Sequence, residues 1–161
     1  MKHLKYTHYN IAFQEVPNET SLIFNISGCP YHCDGCHSMY LWQWKGKFLY
    51  KDIRKIIEEY KSFITCVCFM GGDQNIEELL NFLTICKEYN LKTCLYTGAD
   101  EIEFSYLFNL LDYIKIGHYD KNLGGLNSPT TNQKFYKIEN LELIDLTNLF
   151  QKNLIDNNNV L

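Results

Sequence analysis

The sequence has no long apolar run and no excess of basic residues. No stretch approaches the roughly 18 apolar residues that a membrane span needs, and residues 1–9 contain no apolar signal region. With a net charge of −4, the chain also lacks the basic field that binding to nucleic acid requires. We therefore expect a cytoplasmic protein that binds neither membranes nor nucleic acid.

The number of cysteines is odd, which does not favour a protein held together by disulfide bonds. Seven cysteines leave one without a partner, and no signal region accompanies them, so a disulfide framework is disfavoured and reduced thiols are expected. The 161 residues, 46% of them hydrophobic, suffice for one domain with its own core. We predict a single domain over residues 1–150, followed by a frayed, Asn-rich tail over 151–161.

The sequence does contain short apolar runs that alternate with amphipathic segments. Runs rich in β-forming residues predict strands at 21–26, 65–70, 91–96 and 113–116. Apolar residues at helical spacing predict helices at 51–61 and 76–89, and a third helix is predicted at 102–111. This order predicts an α/β fold with parallel strands joined by helical crossovers. A polar loop over 121–133 and a strand over 135–138 are expected to follow.

Three cysteines lie close together directly after the first predicted strand. Cys29, Cys33 and Cys36 have the spacing C-x₃-C-x₂-C, which lets one short loop hold a single iron–sulfur cluster. A structural zinc site takes four ligands, and an ordinary electron-transfer 4Fe-4S cluster takes four cysteines. Three thiolates would leave one iron without a protein ligand, so we expect chemistry at that open position.

A zinc site is the alternative interpretation of this loop. Cys29, Cys33 and Cys36 could be joined by His32 or His37, both of which are suitable ligand types. Structural zinc sites usually recruit a second pair of ligands, and the remaining cysteines show no such spacing. Those cysteines lie on predicted strands or an apolar helix face, where we expect core packing: Cys66, Cys68, Cys86 and Cys94.

Further candidate residues follow the other predicted strands. Gly71-Gly72-Asp73, Thr97-Gly98 and Gly117-His118 each end a strand, and ligands of parallel sheets gather at that edge. Each also has a structural alternative, because Gly-Gly-Asp makes ordinary turns and Thr97 could cap a helix. Lys115 lies within a predicted inner strand, where a charge needs a partner or an open edge.

These motifs together resemble the radical S-adenosylmethionine (SAM) superfamily. The cysteine spacing and its place after the first strand carry the resemblance, and Gly-Gly-Asp is similar to that family's Gly-Gly-Glu motif. Gly35 departs from the aromatic residue that often precedes the third cysteine. Within the superfamily, the ribonucleotide-reductase activases carry a glycine there, and residues 21–137 resemble them in Tyr96-Thr97-Gly98 and in the later Ser-Pro-Thr-Thr-Asn-Gln stretch.

The resemblance implies a partial parallel βα barrel with one 4Fe-4S cluster and SAM as cofactors. Cys29, Cys33 and Cys36 would hold the cluster, and SAM would chelate the open iron. The residues expected around the cofactors are Gly35, Cys36, His37, Gly71, Gly72, Asp73, Thr97 and Lys115. Cluster and SAM would carry the chemistry, so no residue need act as acid or base.

The implied activity is that of a radical SAM activase. A 5′-deoxyadenosyl radical would remove a hydrogen from one glycine of an anaerobic ribonucleoside-triphosphate reductase, after an electron arrives from a donor such as flavodoxin or ferredoxin. Two alternatives stay open at this point. One is another compact radical SAM activase or a peptide-modifying maturase, and the other is a zinc-stabilised binding module without enzymatic activity.

Overall fold

The computed structural model describes residues 2–101, 103 and 105–151, which form one mixed sheet with two α-helices. The strands of this described part are β1 (Lys5–Ala12), β2 (Ser21–Ile26), β3 (Lys47–Phe48), β4 (Cys66–Met70), β5 (Lys92–Tyr96), β6 (Tyr113–Ile116), β7 (Lys134–Glu139) and β8 (Glu142–Asp145). The helices are α1 (Leu49–Tyr60) and α2 (Ile76–Glu88). Short 3-10 helices cover Met39–Leu41, Asp73–Asn75, Ser105–Asn109 and Thr147–Phe150.

The order of strands across the sheet is β3-β1-β2-β4-β5-β6-β7-β8. The four central strands, β2, β4, β5 and β6, pair in parallel. The strands on both sides of them, β1 with β3 and β7 with β8, pair antiparallel. Because the central strands are parallel, the loops that follow them all lie at the same edge of the sheet.

The predicted strands are all present, each to within one residue at either end. β1 was not predicted, because most of its side chains are only partly buried and Tyr6 alone is fully inside. The short strands β3 and β8 were missed for the same reason, since neither buries a side chain. β1, β3 and β8 therefore carry little hydrophobic signal in the sequence, unlike β7, whose buried Phe135 and Ile138 made it predictable.

Two of the three predicted helices are confirmed, and the third is wrong. α1 and α2 occupy the predicted places, and the side chain of Asn75 caps α2 by accepting a bond from the backbone N–H of Glu78 (3.2 Å). Residues 102 and 104 of the third prediction lie outside the described residues; of the remainder, Ser105–Asn109 form a 3-10 helix rather than an α-helix, and Glu103 has no regular structure. The apolar residues 102, 104 and 106 alternate with polar ones, which does not keep them on one helical face.

The two faces of the sheet bury different side chains. On one face, α1 and α2 cover a core built around a stack of Phe24, Phe69 and Phe82, with ring centroids 5.9 and 6.3 Å apart. The residues that alternate with these point to the other face, where Cys66, Cys68 and Cys94 are fully buried beside Phe135 and Val16. Burial of these cysteines and of Cys86 confirms their predicted place in the core.

Among the residues that the structure describes, no helix is long and apolar enough to cross a membrane. The long polar segment over 121–133 has no strand or helix, as the sequence predicts. Of the predicted C-terminal tail, residues 152–161 lie outside the described residues.

The aromatic stack gives a direct test of this core. Phe69 is its middle ring and is 0% exposed, so Phe69→Ala leaves a cavity and should lower the free energy of unfolding by about 3–5 kcal/mol in urea denaturation. Phe63, which is 73% exposed, provides the control, and Phe63→Ala should change that free energy by less than about 0.5 kcal/mol. Equal effects of the two substitutions would contradict the described packing.

Candidate metal centre

The cysteine loop follows β2 directly and is held in a fixed shape by its backbone. The backbone N–H groups of Gly28 and Cys29 both donate to the carbonyl of Leu41, at 2.7 and 3.0 Å. Gly28 has a φ of +83°, and a Cβ atom there would lie 2.8 Å from the ring of Trp44. Glycine is therefore required at this position both for its conformation and for the space that the indole occupies.

The three thiols of the loop are free and partly buried. The backbone N–H of Cys36 donates to the carbonyl of Cys33 (3.1 Å), and that of Ser38 donates to the Cys36 sulfur (3.3 Å). Burial raises the pKa of the Cys29 thiol, although hydrogen bonds from the backbone of Tyr31 and His32 oppose this shift. Positive φ values at His32 (+45°) and Gly35 (+76°) turn the chain back on itself between the cysteines.

Lys115 brings a buried positive charge to this loop. It is 8% exposed, and its ammonium group donates to the carbonyls of Gly117 (2.7 Å) and Thr97 (3.4 Å). Burial lowers its pKa to about 8, and the negative charges of Asp100 and of the three cysteines, when ionised, oppose that shift. The end of β6 therefore lies within electrostatic reach of all three thiols, as expected if the strand ends meet at one edge.

Asp73 connects the cysteine loop to two other strand ends. Its Oδ2 atom accepts hydrogen bonds from the hydroxyl of Tyr31 (2.5 Å) and from that of Thr97 (2.8 Å). Asp73 follows β4, Thr97 follows β5, and Tyr31 lies between the first two cysteines. Burial is the main cause that raises the pKa of Tyr31, and the hydrogen bond to Asp73 raises it further. The Tyr31 hydroxyl is therefore protonated at neutral pH and acts as a donor.

Tyr31 is the partner that the sequence did not reveal. The one available signal was an aromatic residue with a hydroxyl inside the cysteine loop, and many loops contain such a residue. Its ring also packs against Gly98, where a Cβ atom would lie 2.7 Å from the ring carbons. Gly98 thus lets the cysteine loop approach the turn after β5.

The two glycines of Gly71-Gly72-Asp73 adopt conformations that other residues rarely take, with φ values of +94° and +117°. The N–H of Gly71 donates to the carbonyl of Tyr96 (2.9 Å), and that of Gly72 donates to the Gln74 side chain (3.0 Å). Gln74 in turn donates to the carbonyl of Ser27 (2.9 Å). Gln74, which sequence reasoning also missed, therefore forms a second connection between this turn and the cysteine loop.

Thr97 also has the structural role considered as its alternative. Its hydroxyl accepts a hydrogen bond from the backbone N–H of Ala99 (3.0 Å) while it donates to Asp73. The turn that it caps does not lead into an α-helix in the described residues. A single side chain therefore closes the turn and positions the carboxylate of Asp73.

Gly35 and His37 lie on the side of the loop that faces the turn after β6. A Cβ atom at Gly35 would meet the Lys121 side chain at 3.2 Å, and Lys121 forms an ion pair with Asp34 (2.5 Å). The ring of His37 packs edge-on against Tyr119, with centroids 5.5 Å apart.

A cleft of about 510 Å³ separates the cysteine loop from the turns after β5 and β6. Its walls include Cys33 on one side and Gly98, Asp100 and His118 on the other. Asp100 accepts from the backbone N–H of His118 (3.1 Å) and contacts its ring Nδ1 (2.7 Å). A small molecule that entered this cleft would therefore lie next to a cluster held by the cysteines.

The donor set fits a multi-iron cluster better than a single zinc ion. Within the described ranges, no three His, Cys, Asp or Glu side chains are gathered closely enough to hold one metal ion. His32, a ligand in the zinc alternative, instead stacks on Trp42 with ring centroids 4.8 Å apart. Three thiols from one loop suit an iron–sulfur cluster, which is held by cysteine thiolates.

Comparison with known proteins agrees with this assignment. The family described as the 4Fe-4S single cluster domain matches residues 20–139, about three quarters of the chain and the whole span from β2 to β7. The matched span contains the three cysteines of the loop, Asp73, Thr97 and Lys115. No curated protein matches the chain. The chain belongs to the family of 4Fe-4S single cluster domains.

Proposed function

We propose that this protein is a radical SAM activase that generates a glycyl radical on an anaerobic ribonucleotide reductase. The observation that carries the proposal is the hydrogen-bonded group of Tyr31, Asp73 and Thr97. These residues belong to the three sequence motifs that resemble the activases, and they meet at one edge of the sheet. Tyr31 lies 42 residues and Thr97 lies 24 residues from Asp73 in the sequence, yet both bind the same carboxylate oxygen. Turns that served only to reverse the chain would not need such contacts.

Cys29, Cys33 and Cys36 would hold the cluster in this proposal. When bound, the cluster and SAM would supply a 5′-deoxyadenosyl radical by one-electron cleavage of the sulfonium, and the radical would take hydrogen from a glycine. The protein binds and orients the two cofactors and excludes water from them. Trp42 and Trp44 beside the loop serve this last purpose, since Trp42 stacks on the ring of His32 and Trp44 packs against Gly28.

Asp73 and Lys115 are suited to the two charged ends of the methionine part of SAM. Two hydroxyl donors fix the Oδ2 atom of Asp73, and within the described residues its Oδ1 atom accepts no hydrogen bond. A carboxylate fixed in this way suits an ammonium group. The Lys115 ammonium, buried among carbonyls, suits a carboxylate, while the backbone at Gly71 and Gly72 lets the ligand approach closely.

The open sheet fits a protein substrate. We propose that it is the partial βα barrel expected from the resemblance, with four parallel strands at its centre and β3 and β8 as its two unjoined edges in the described part. A sheet that does not close leaves its side accessible to a loop of another protein. The proposed cytoplasmic location follows from the same chemistry, because the ligand thiols must stay reduced.

The activity is tested by electron paramagnetic resonance of the candidate reductase mixed with reconstituted protein, SAM and dithionite. We expect a glycyl-radical signal together with 5′-deoxyadenosine. Cys33→Ala should bind little iron and abolish both products, because two thiols cannot hold the cluster. Cys86→Ala, at a buried cysteine, is the matched control and should retain iron. If SAM is cleaved but no glycyl radical forms, another activase or a peptide-modifying maturase is the better assignment; if SAM is not cleaved, the radical assignment is wrong.

The role of Tyr31 is tested by removing only its hydroxyl group. Tyr31→Phe should weaken SAM binding about tenfold, because the Asp73 carboxylate loses a charge-assisted hydrogen bond worth on the order of 1.5–3 kcal/mol. Asp73→Asn should weaken it further, since the negative charge is lost. Binding is measured anaerobically by equilibrium dialysis at matched iron content, with Tyr106→Phe, at an exposed tyrosine, as the control. Unchanged affinity in Tyr31→Phe would show that the Asp73 contact does not position SAM.

A further inference from the structure

One surface of the protein concentrates positive charge although the whole chain is acidic. Residues 2–11 and 42–51 contain five lysines and no aspartate or glutamate, and β1 pairs with β3 to bring the two segments together. We define the basic patch as these lysines and the aromatic rings beneath them: Lys2, Lys5, Lys45, Lys47 and Lys51, with Tyr40, Trp44, Phe48 and Tyr50.

The lysines of the basic patch form no ion pairs in the described part of the chain, whereas most other described basic side chains do, including Arg54, Lys87 and Lys121. Instead, the ammonium groups of four of them, all except Lys47, lie over aromatic faces. Lys2 and Lys5 are 5.6 and 5.8 Å from the Trp44 ring centre, and Lys51 is 5.5 Å from that of Phe48. Such contacts orient a cation without neutralising it, so the positive charge remains available to a partner.

Two acidic side chains that contact residues of these segments, Asp52 and Glu78, are held by other groups. Asp52 accepts a hydrogen bond from the hydroxyl of Tyr6 (2.7 Å). Glu78 is nearly buried and accepts from the backbone N–H of Leu4 and contacts His3. Both carboxylates are therefore already engaged, and the two segments that form the patch carry five lysines and no carboxylate of their own.

The basic patch adjoins the cysteine loop. The Trp44 ring contacts Gly28, the residue before the first cysteine, and the carbonyl of Leu41 binds the backbone of that same turn. At the other end of the segment, the N–H of Ser38 donates to the sulfur of Cys36. Residues 38–45 thus run from a ligand thiol to the patch, so a molecule seated there would be close to the cluster.

The basic patch and the cleft lie on opposite flanks of the cysteine loop. In the sheet, β1 and β3 stand on one side of β2, and β4, β5 and β6 stand on the other. The cleft is lined by the turns after β5 and β6, on the same side of β2 as Asp73 and Lys115, which are proposed to contact SAM. A partner on the patch would leave that flank free.

We propose that the basic patch docks a small acidic protein that carries one electron at a time in an exposed flavin or iron–sulfur group. This inference rests on the proposed function, which requires an electron before SAM can be cleaved. In the step itself the carrier loses one electron and the cluster gains it, and no bond is formed or broken. The reductase is the less suitable occupant, because its glycine would have to reach SAM, which is proposed to bind on the other flank.

The experiment compares two double variants with the same change in charge. Lys45→Glu/Lys47→Glu alters the basic patch, and Lys134→Glu/Lys137→Glu alters exposed lysines on β7, far along the sheet. Reduction of the reconstituted protein by flavodoxin hydroquinone, and by reduced ferredoxin as a second probe, is followed by stopped flow. At low ionic strength, the patch variant should react at least about tenfold more slowly than wild type, and the difference should shrink with added salt. The control should change less than about twofold.

Binding is measured separately from electron transfer. In a fluorescence titration at low ionic strength, oxidised flavodoxin should bind the patch variant more weakly than the control variant. Equal binding and equal reduction rates in the two variants would overturn the docking proposal, as would salt-independent reduction of the wild type by both probes. Loss of reductase binding in the patch variant, with carrier binding intact, would also overturn it.

Failure of the docking proposal can be told apart from failure of the proposed function. Dithionite does not need a docking surface, so the patch variant should still cleave SAM with this reductant at close to the wild-type yield. If no form of the protein cleaves SAM with dithionite, the proposed function fails and the docking proposal fails with it. If SAM cleavage with dithionite is intact and only the carrier results contradict expectation, the docking proposal alone is wrong.

Discussion

The arrangement of the site depends on the hydrogen bonds that the Asp73 carboxylate accepts from Tyr31 and Thr97. One of its oxygens accepts hydrogen bonds from Tyr31, in the cysteine loop, and from Thr97, after the neighbouring strand. Gln74 adds a second connection by bonding both Gly72 and Ser27. Together these bonds fix the cysteine loop over the edge where the parallel strands end, so that the thiols, Asp73 and Lys115 share one region.

The sheet beneath this edge separates the cysteines into two chemical classes. Burial raises the pKa of Cys66 and Cys94, and raises that of Cys86 to about 12, so these thiols stay protonated and pack as small apolar groups. Cys29, Cys33 and Cys36 are only partly buried and lie on a loop beside the lysine of β6. Metal binding needs thiolates, and the fold leaves only the loop cysteines in a position to become ligands together.

The central parallel strands of the sheet could be predicted from the sequence, because strands buried on both faces leave continuous apolar runs such as Cys66–Met70. β1 could not be found in this way, since its exposed and buried residues mix without a clear period. The helix expected at 102–111 was wrong, because the described residues from Ser105 to Asn109 form a 3-10 helix and the apolar residues before them alternate with polar ones. Asp73 and Thr97 could be selected from local motifs, whereas Tyr31 acquires its role from contacts 42 and 66 residues away, which no local pattern encodes. The partial barrel stays a prediction.

The central proposal is that the three cysteines would leave one iron of the cluster open and that SAM would bind there. Electron–nuclear double resonance on the reduced, reconstituted protein tests this most directly, with SAM isotope-labelled at its amino nitrogen. The account predicts a hyperfine coupling from the labelled nitrogen to the cluster spin, because that nitrogen would be an iron ligand. Identical spectra with labelled SAM, unlabelled SAM and no SAM would contradict it.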